Sequence, residues 1–326
     1  MSKERLYLYD TTLRDGAQTQ GVTFSLEDKL LIARTLDDLG LDYIEGGYPG
    51  ANPTDTALFA EARGLKNAKL TAFSMTKRVG RSASNDAGFA DIVDAKADAV
   101  CFVAKSWDYH VAVALGISNE ENLDSIAASV RAVAETGREA MIDCEHFFDG
   151  YKANRDYALA CARAAYEAGA RWVVLCDTNG GTLPHEIEAI VTEVIGHVPG
   201  ERLGIHTHND TENAVANTLA AIRAGVRQVQ GTLNGLGERC GNANLTSIIP
   251  TLLLKPDFAG RFETGVTLER LKWLTRASRL LDEVLNRAPN RSAPYVGESA
   301  FAHKGGIHVS AIQKDPRTYE HVPPEA

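Results

Sequence analysis

The stretch "GIHTHND", residues 204–210, sets two histidines two positions apart inside an otherwise apolar run. In a strand, side chains alternate between faces. His206 and His208 then share one face, while Leu203, Ile205 and Thr207 share the other. A strand that buries leucine and isoleucine on one side and two imidazoles on its opposite side has apolar cover on the first and a polar interior on the second. A barrel strand, with helices outside and a functional mouth inside, has that division.

Working outward, the same kind of β-rich run recurs at 5–10, 41–47, 69–75, 98–104, 139–145, 171–177, 202–208 and 227–233. Helical patterns lie between the runs. "SLEDKLLIARTLDDLG" (25–40) opens on a capping-box-like Ser25 and Asp28 and closes on Gly40. Residues 155–170 and 212–225 are further helical patterns with a glycine at or near the end, and 243–254 supplies the last of the set. Eight strand–helix units within the first 255 residues predict a (β/α)8 TIM barrel, an α/β fold. The alternative is a doubly wound open sheet. Polar residues at the C-terminal ends of many strands, and no G-x-G-x-x-G after the first strand, favour the barrel.

The repeat stops after residue 255. An amphipathic helix is predicted over 267–287, then a glycine-rich segment with two histidines over 292–312. The expected division is a barrel at 1–258 and a small helical subdomain at 259–326, the terminal "HVPPEA" suggesting a truncated chain or a lost downstream domain.

The chain has 326 residues, 44% hydrophobic and 24% charged, the composition of a globular protein with a substantial core. A net charge of −9 argues against a nucleic-acid partner. Five scattered cysteines without C-x-x-C spacing read as reduced thiols in a cytoplasmic protein. No apolar h-region and no 18-residue apolar run occurs, so neither secretion nor membrane insertion is expected.

His206 and His208 read either as core histidines bonded to carbonyls or as ligands of a divalent metal. Asp15 follows the first strand and Asn242 the eighth. Closure makes those strands neighbours, so two imidazoles, a carboxylate and an amide oxygen converge. That favours one divalent ion, with Mn, Mg, Co and Zn all compatible. Arg14 beside it reads as a donor to a developing oxyanion, or as a surface ion-pair residue. On strand five, Met141, Asp143 and Glu145 share the face opposite Ile142 and Cys144, which aims two carboxylates inward. Glu145 at the mouth end suits acid–base work or the orienting of water. Thr178 stands past strand six as a donor to a substrate carboxylate or as a turn residue. Cys240 reads as a nucleophile or a small filler, and no adjacent base is evident.

With these residues assembled, the chain resembles the DRE-TIM metallolyases. Within them it resembles the Claisen-type acyltransferases: the 2-isopropylmalate, homocitrate and citramalate synthases. The run "D-x-x-x-R-D-G-x-Q" appears as "DTTLRDGAQ" (10–18), the metal pair as "HTHND", the barrel-closing loop as "GLGERCGNANL" and the subdomain motif as "AFAHKGGIH". Longer stretches ("GGYPGANPTD", "KSWDYHV", "CEHFFDGYKAN") resemble the branch that uses pyruvate. The resemblance implies condensation of acetyl-CoA with pyruvate and thioester hydrolysis, in amino-acid biosynthesis leading to isoleucine.

By position it makes Asp15, His206, His208 and Asn242 metal ligands, with Arg14 on the keto oxygen. Thr178 and Asp143 would bind substrate, and Glu145 would line the reacting centre. His308 would act near the thioester, in a homodimer whose subdomain covers the neighbouring mouth. The cations of "TKRVGR" (76–81), Lys105 and Lys304 are candidates for coenzyme A. Ser310 stands where relatives usually carry an aspartate, which leaves open what orients His308. The resemblance also implies a C-terminal regulatory domain, and residues 259–326 are expected to stop before it. Competing readings are a synthase for a bulkier 2-oxo acid, an acyl-CoA lyase and an inactive metal-binding protein.

Overall fold

The computed structural model describes residues 3–82 and 85–324. The extreme ends of "MSKERLYLYD" and "HVPPEA" therefore lie outside the described residues. Eight parallel strands run in sequence order: β1 (Tyr7–Asp10), β2 (Tyr43–Gly47), β3 (Lys69–Met75), β4 (Ala99–Lys105), β5 (Glu139–Glu145), β6 (Trp172–Asp177), β7 (Leu203–Thr207) and β8 (Gln228–Gly231). The sheet closes when β8 pairs with β1, in the register Tyr7 with Gln228, Leu8 with Val229, Tyr9 with Gln230 and Asp10 with Gly231. That pairing settles the choice between barrel and open sheet in favour of the barrel.

The strands fall within the expected runs, except that β4 reaches one residue further; six strands start one or two residues late, and β7 and β8 also end early. β7 stops at Thr207, and His208 instead forms an isolated antiparallel bridge with Asn242. The chain leaves the sheet there to meet the loop after β8.

One long helix follows each strand: α1 (Leu26–Leu39), α2 (Pro53–Glu61), α3 (Ala87–Asp94), α4 (Asn119–Ala134), α5 (Arg155–Glu167), α6 (Pro184–Val194), α7 (Ala214–Ala224) and α8 (Leu245–Leu254). Local chemistry sets their ends. Ser25 and Asp28 form the expected reciprocal capping box on α1. Gly40 ends that helix at φ 101°, where a Cβ would stand 2.6 Å from the Gly265 carbonyl oxygen, so only glycine fits.

Strand alternation divides the core in two. Leu8, Ile44, Phe102, Ile142, Leu175, Ile205 and Val229 face the helices. Tyr9, Tyr43, Cys101, Met141, Trp172, Val174 and Cys176 fill the barrel interior. Trp172 is fully buried there and donates its indole N–H to the Tyr43 hydroxyl at 3.1 Å. The Tyr43 hydroxyl in turn donates to Glu139 at 2.8 Å.

Past the barrel, Phe262–Glu263 pairs in parallel with Glu4–Arg5. The expected single helix over 267–287 is two helices, α9 (Leu268–Leu271) and α10 (Leu274–Val284). The Trp273 N–H bonds back to the Arg270 carbonyl, three residues away, and this tighter turn breaks the four-residue ladder. α10 buries Leu274, Ala277, Ser278 and Leu281. The last helix, α11 (Gly306–Lys314), buries no residue, and Ile307 is 81% exposed.

Trp172 anchors the interior, so Trp172→Ala leaves a cavity and removes the donor to Tyr43. The expected loss of stability is about 3–5 kcal/mol, with Trp172→Phe losing less, as measured by denaturant unfolding.

Candidate active site

The barrel mouth opens on a cavity of about 420 Å³, walled by Arg14, Asp15, Tyr48, Phe73, Lys105, Asp143, Glu145, Thr178, His206, His208 and Arg239. A larger cavity of about 520 Å³ lies beside α10, against Asn234, Arg279 and Arg287, and contains none of the candidate site residues.

Arg14 is caged. Its Nε donates to Glu45 Oε2 at 2.6 Å, its Nη1 to Asp15 Oδ1, and its guanidinium lies 4.0 Å from the centre of the Phe73 ring. Among the described residues its Nη2 donates no hydrogen bond. Burial alone would lower the Arg14 pKa, but Asp15, Glu45 and Asp143 raise it, so the group is permanently cationic. Glu45 is fully buried and also accepts from the Tyr9 hydroxyl at 2.7 Å. Burial, with Asp143 and Asp15 nearby, pushes Glu45 up to about 7 against the pull of Arg14.

His206 and His208 do share a face. Their Nε2 atoms are 3.3 Å apart, and His206 Nε2 is 3.8 Å from Asp15 Oδ2 and 3.2 Å from the Asn242 amide nitrogen. Burial, and then the neighbouring His206, hold His208 down at about 3, so its ring is neutral. Burial would raise Asp15, but Arg14, His206 and His208 outweigh it and keep the carboxylate ionised. Asn242 is buried behind the histidines and does not line the cavity wall.

This donor set fits a divalent cation. Asp15 Oδ2, Asn242 Oδ1 and His208 Nδ1 are buried without a hydrogen-bond partner. The two oxygens are unsatisfied acceptors beside the imidazole pair, and are costly unless a positive centre meets them. Glu45, Cys101 and Asp143 also bring donor atoms within 4.8 Å of one another. Their atoms are already committed. Burial pushes the Cys101 thiol well up, and it donates to Asp143 at 3.3 Å, while Glu45 holds Arg14 and Tyr9. That trio is a proton-bearing network rather than a ligand set.

The other expected residues are distributed as follows. Asp143 faces the interior, and burial raises its pKa. Glu145 lines the cavity and pairs with Lys105. Thr178 accepts the His146 N–H at 2.8 Å, which leaves its own hydroxyl proton to donate elsewhere. Thr76 lines the wall, whereas Arg78, Arg81 and Lys304 are exposed outside it. Cys240 is exposed, and the other four thiols are buried. His308 lies on α11, stacked on Tyr319 at 4.2 Å, and is not part of the mouth of its own barrel.

Three residues in or under the mouth escaped the sequence reading: Glu45, Gln230 and Arg239. Arg239 pairs with Asp210 at 2.8 Å and donates to the Thr178 carbonyl at 2.7 Å. For Glu45 and Gln230 the available signal was a polar residue inside an otherwise apolar strand.

The chain matches the HMGL-like family over residues 5–277 and the homocitrate synthase post-HMGL domain-like family over residues 295–326. The (R)-citramalate synthase of Aquifex aeolicus (strain VF5) is 52% identical over 324 residues, covering 99% of this chain and 60% of the relative. The (R)-citramalate synthase of Synechocystis sp. is 50% identical over 332 residues, with the same coverage of each. A 2-isopropylmalate synthase from Methylacidiphilum infernorum is 35% identical, covering 100% of this chain and 63% of the relative. This chain therefore spans 60% of the length of the (R)-citramalate synthases it matches here. The crystal structure of the HMG-CoA lyase of Bacillus subtilis superposes with a TM-score of 0.76 at 18% identity, over 91% of this chain and 98% of that one, a likeness of fold alone. A closed barrel carrying this mouth, matched from residue 5 to residue 277, belongs to the HMGL-like family.

Proposed function

We propose that this chain is the catalytic part of a citramalate synthase, joining acetyl-CoA to pyruvate and hydrolysing the thioester to give citramalate and coenzyme A. The observation that carries the reading is identity of 46–52% to (R)-citramalate synthases across almost the whole chain. The mouth supports it, because a caged guanidinium, carboxylates and a cation-type donor set face one cavity. In this reading residues 1–258 hold the chemistry and 259–326 form the appended unit.

Asp15, His206, His208 and Asn242 would hold the divalent metal, whether Mn, Mg, Co or Zn. When bound, such an ion supplies Lewis-acid polarisation of the 2-oxo acid. Arg14, with Nε and Nη1 held by carboxylates, offers Nη2 to the oxygen on which charge develops as C2 is attacked. A donor fixed beforehand stabilises that charge without reorganisation. Thr178 donates its free hydroxyl proton to the substrate carboxylate, and Asp143 closes the floor of the pocket. Glu145, paired with Lys105 at the wall, serves proton transfer at the reacting centre. The apolar wall of Tyr48, Phe73, Met75, Val103 and Leu115 limits the size of the 2-oxo acid.

His308 completes the site from outside. α11 buries nothing in its own chain, so a second copy gives it a surface, and His308 then serves the neighbour's thioester in a homodimer. Ser310, on the same helix, offers no carboxylate to orient it. Five free thiols suit a reducing cytoplasm. No helix among the described residues is long and apolar enough to cross a membrane.

A thiol-release assay over a panel of 2-oxo acids tests the function. Pyruvate is the expected best substrate, 2-oxobutyrate is used measurably, and 2-oxoisovalerate poorly. One methylene in an apolar pocket discriminates by about 1–3 kcal/mol. Equal efficiency with the branched acid assigns the protein to the 2-isopropylmalate branch instead.

His208→Ala is expected to lose bound Mn²⁺ and turnover with an unchanged circular-dichroism melt. Full metal occupancy in the purified variant removes His208 from the ligand set. Arg14→Lys keeps the charge but loses the planar fork. Turnover should fall about 10²-fold or more, the size of a lost oxyanion donor. A change within a few-fold reduces Arg14 to a structural ion-pair partner.

A further inference from the structure

An imidazole that ligates through one ring nitrogen must carry its proton on the other. His206 Nε2 is the atom turned toward His208, Asn242 and Asp15. Its Nδ1 points into the barrel, 2.8 Å from Gln230 Oε1. Gln230 is fully buried on β8, and its amide nitrogen donates to Asp143 Oδ1 at 3.0 Å. Cys101 Sγ donates to the same oxygen at 3.3 Å.

The polarity of this chain follows from its chemistry. An amide nitrogen offers only protons and an amide oxygen only lone pairs. The Cys101 thiol donates to Asp143 Oδ1, so that oxygen is an acceptor. The reversed amide would set two acceptor oxygens against each other. The Gln230 NH2 therefore faces Asp143, and its oxygen faces the imidazole. An oxygen 2.8 Å from Nδ1 requires the proton on Nδ1, which leaves the Nε2 lone pair directed at the ligand cluster.

We propose that Gln230 is the positioning residue that selects the His206 tautomer, with Asp143 fixing the direction of its amide. Gln230 does not line the cavity, so it acts through His206. The inference rests on the reading of Asp15, His206, His208 and Asn242 as a metal site. A partner of this kind commonly sets metal affinity by 10–100-fold.

The test uses full-length protein with ¹⁵N-labelled histidine rings. In metal-free wild type, long-range ¹H–¹⁵N spectra should show His206 protonated on Nδ1, and Gln230→Leu should lose that preference. Co²⁺ affinity, from equilibrium dialysis and visible absorption, should fall about 10–100-fold in Gln230→Leu. Thermal melts identify any variant that does not fold, in which case the wild-type spectrum decides. His206 protonated on Nε2 in wild type, or a folded Gln230→Leu with unchanged affinity and tautomer, overturns the inference. Wild type that binds no Co²⁺ defeats the metal reading instead, and the tautomer measurement still judges Gln230.

Discussion

The seam between β8 and β1 is the constraint on which the mouth depends. Tyr7 through Asp10 lie in register beside Gln228 through Gly231. That pairing brings the loop carrying Arg14 and Asp15 against the loop carrying Asn242, and both against the end of β7. Residues more than two hundred positions apart in the chain meet there, as the Leu233 N–H bound to the Thr12 hydroxyl at 2.9 Å shows. A shift of one residue at this seam turns one of its two strands over, sending either Tyr9 or Gln230 out toward the helices.

The seam also concentrates negative charge. Asp10, Asp15, Glu45 and Asp143 are all buried; Arg14 pairs with Asp15 and Glu45, and Thr12 donates to Asp10. Burial pushes both Asp10 and Glu45 up to about 7, beyond the range where a carboxylate is reliably ionised at neutral pH. Asp15 goes the other way, because Arg14 and the two imidazoles surround it. Neighbouring acids with such divergent settings are a mark of functional sites, since a purely structural core would discard most of them. Here a guanidinium fixed by two acids leaves Nη2 for the cavity, and His208, held neutral chiefly by burial, keeps a lone pair.

Much of this was legible in the residues. Strand period and helix caps gave the barrel, and strand ends gave Arg14, Asp15, Glu145, Thr178, His206 and His208, because barrel topology sends every strand end to one mouth. Met141, Asp143 and Glu145 alternate inward as expected, with Ile142 and Cys144 outward. Glu45 and Gln230 were not legible, because a lone polar residue within an apolar strand gives no sign of its partner across the barrel. The break between α9 and α10 escaped for a different reason. The apolar spacing of 267–287 continues through it, and only a shift from four-residue to three-residue bonding at Trp273 divides the helix. The exposure of α11, which buries no residue of its own chain, was not legible either.

The pairing of the first barrel strand with the last bears on how the protein is made. During synthesis β1 emerges first and waits with one edge unpaired until β8 leaves the ribosome. Throughout that interval the parallel sheet has open edges, the condition in which barrel intermediates associate wrongly. The Glu4–Arg5 strand waits longer still, since its partner Phe262–Glu263 lies beyond the barrel. Asp15 and Arg14 stay apart from the full set of His206, His208 and Asn242 until residue 242 is out. The metal-type cluster is thus among the last parts of the barrel to assemble, and a nascent chain has no complete ligand set with which to capture an ion early.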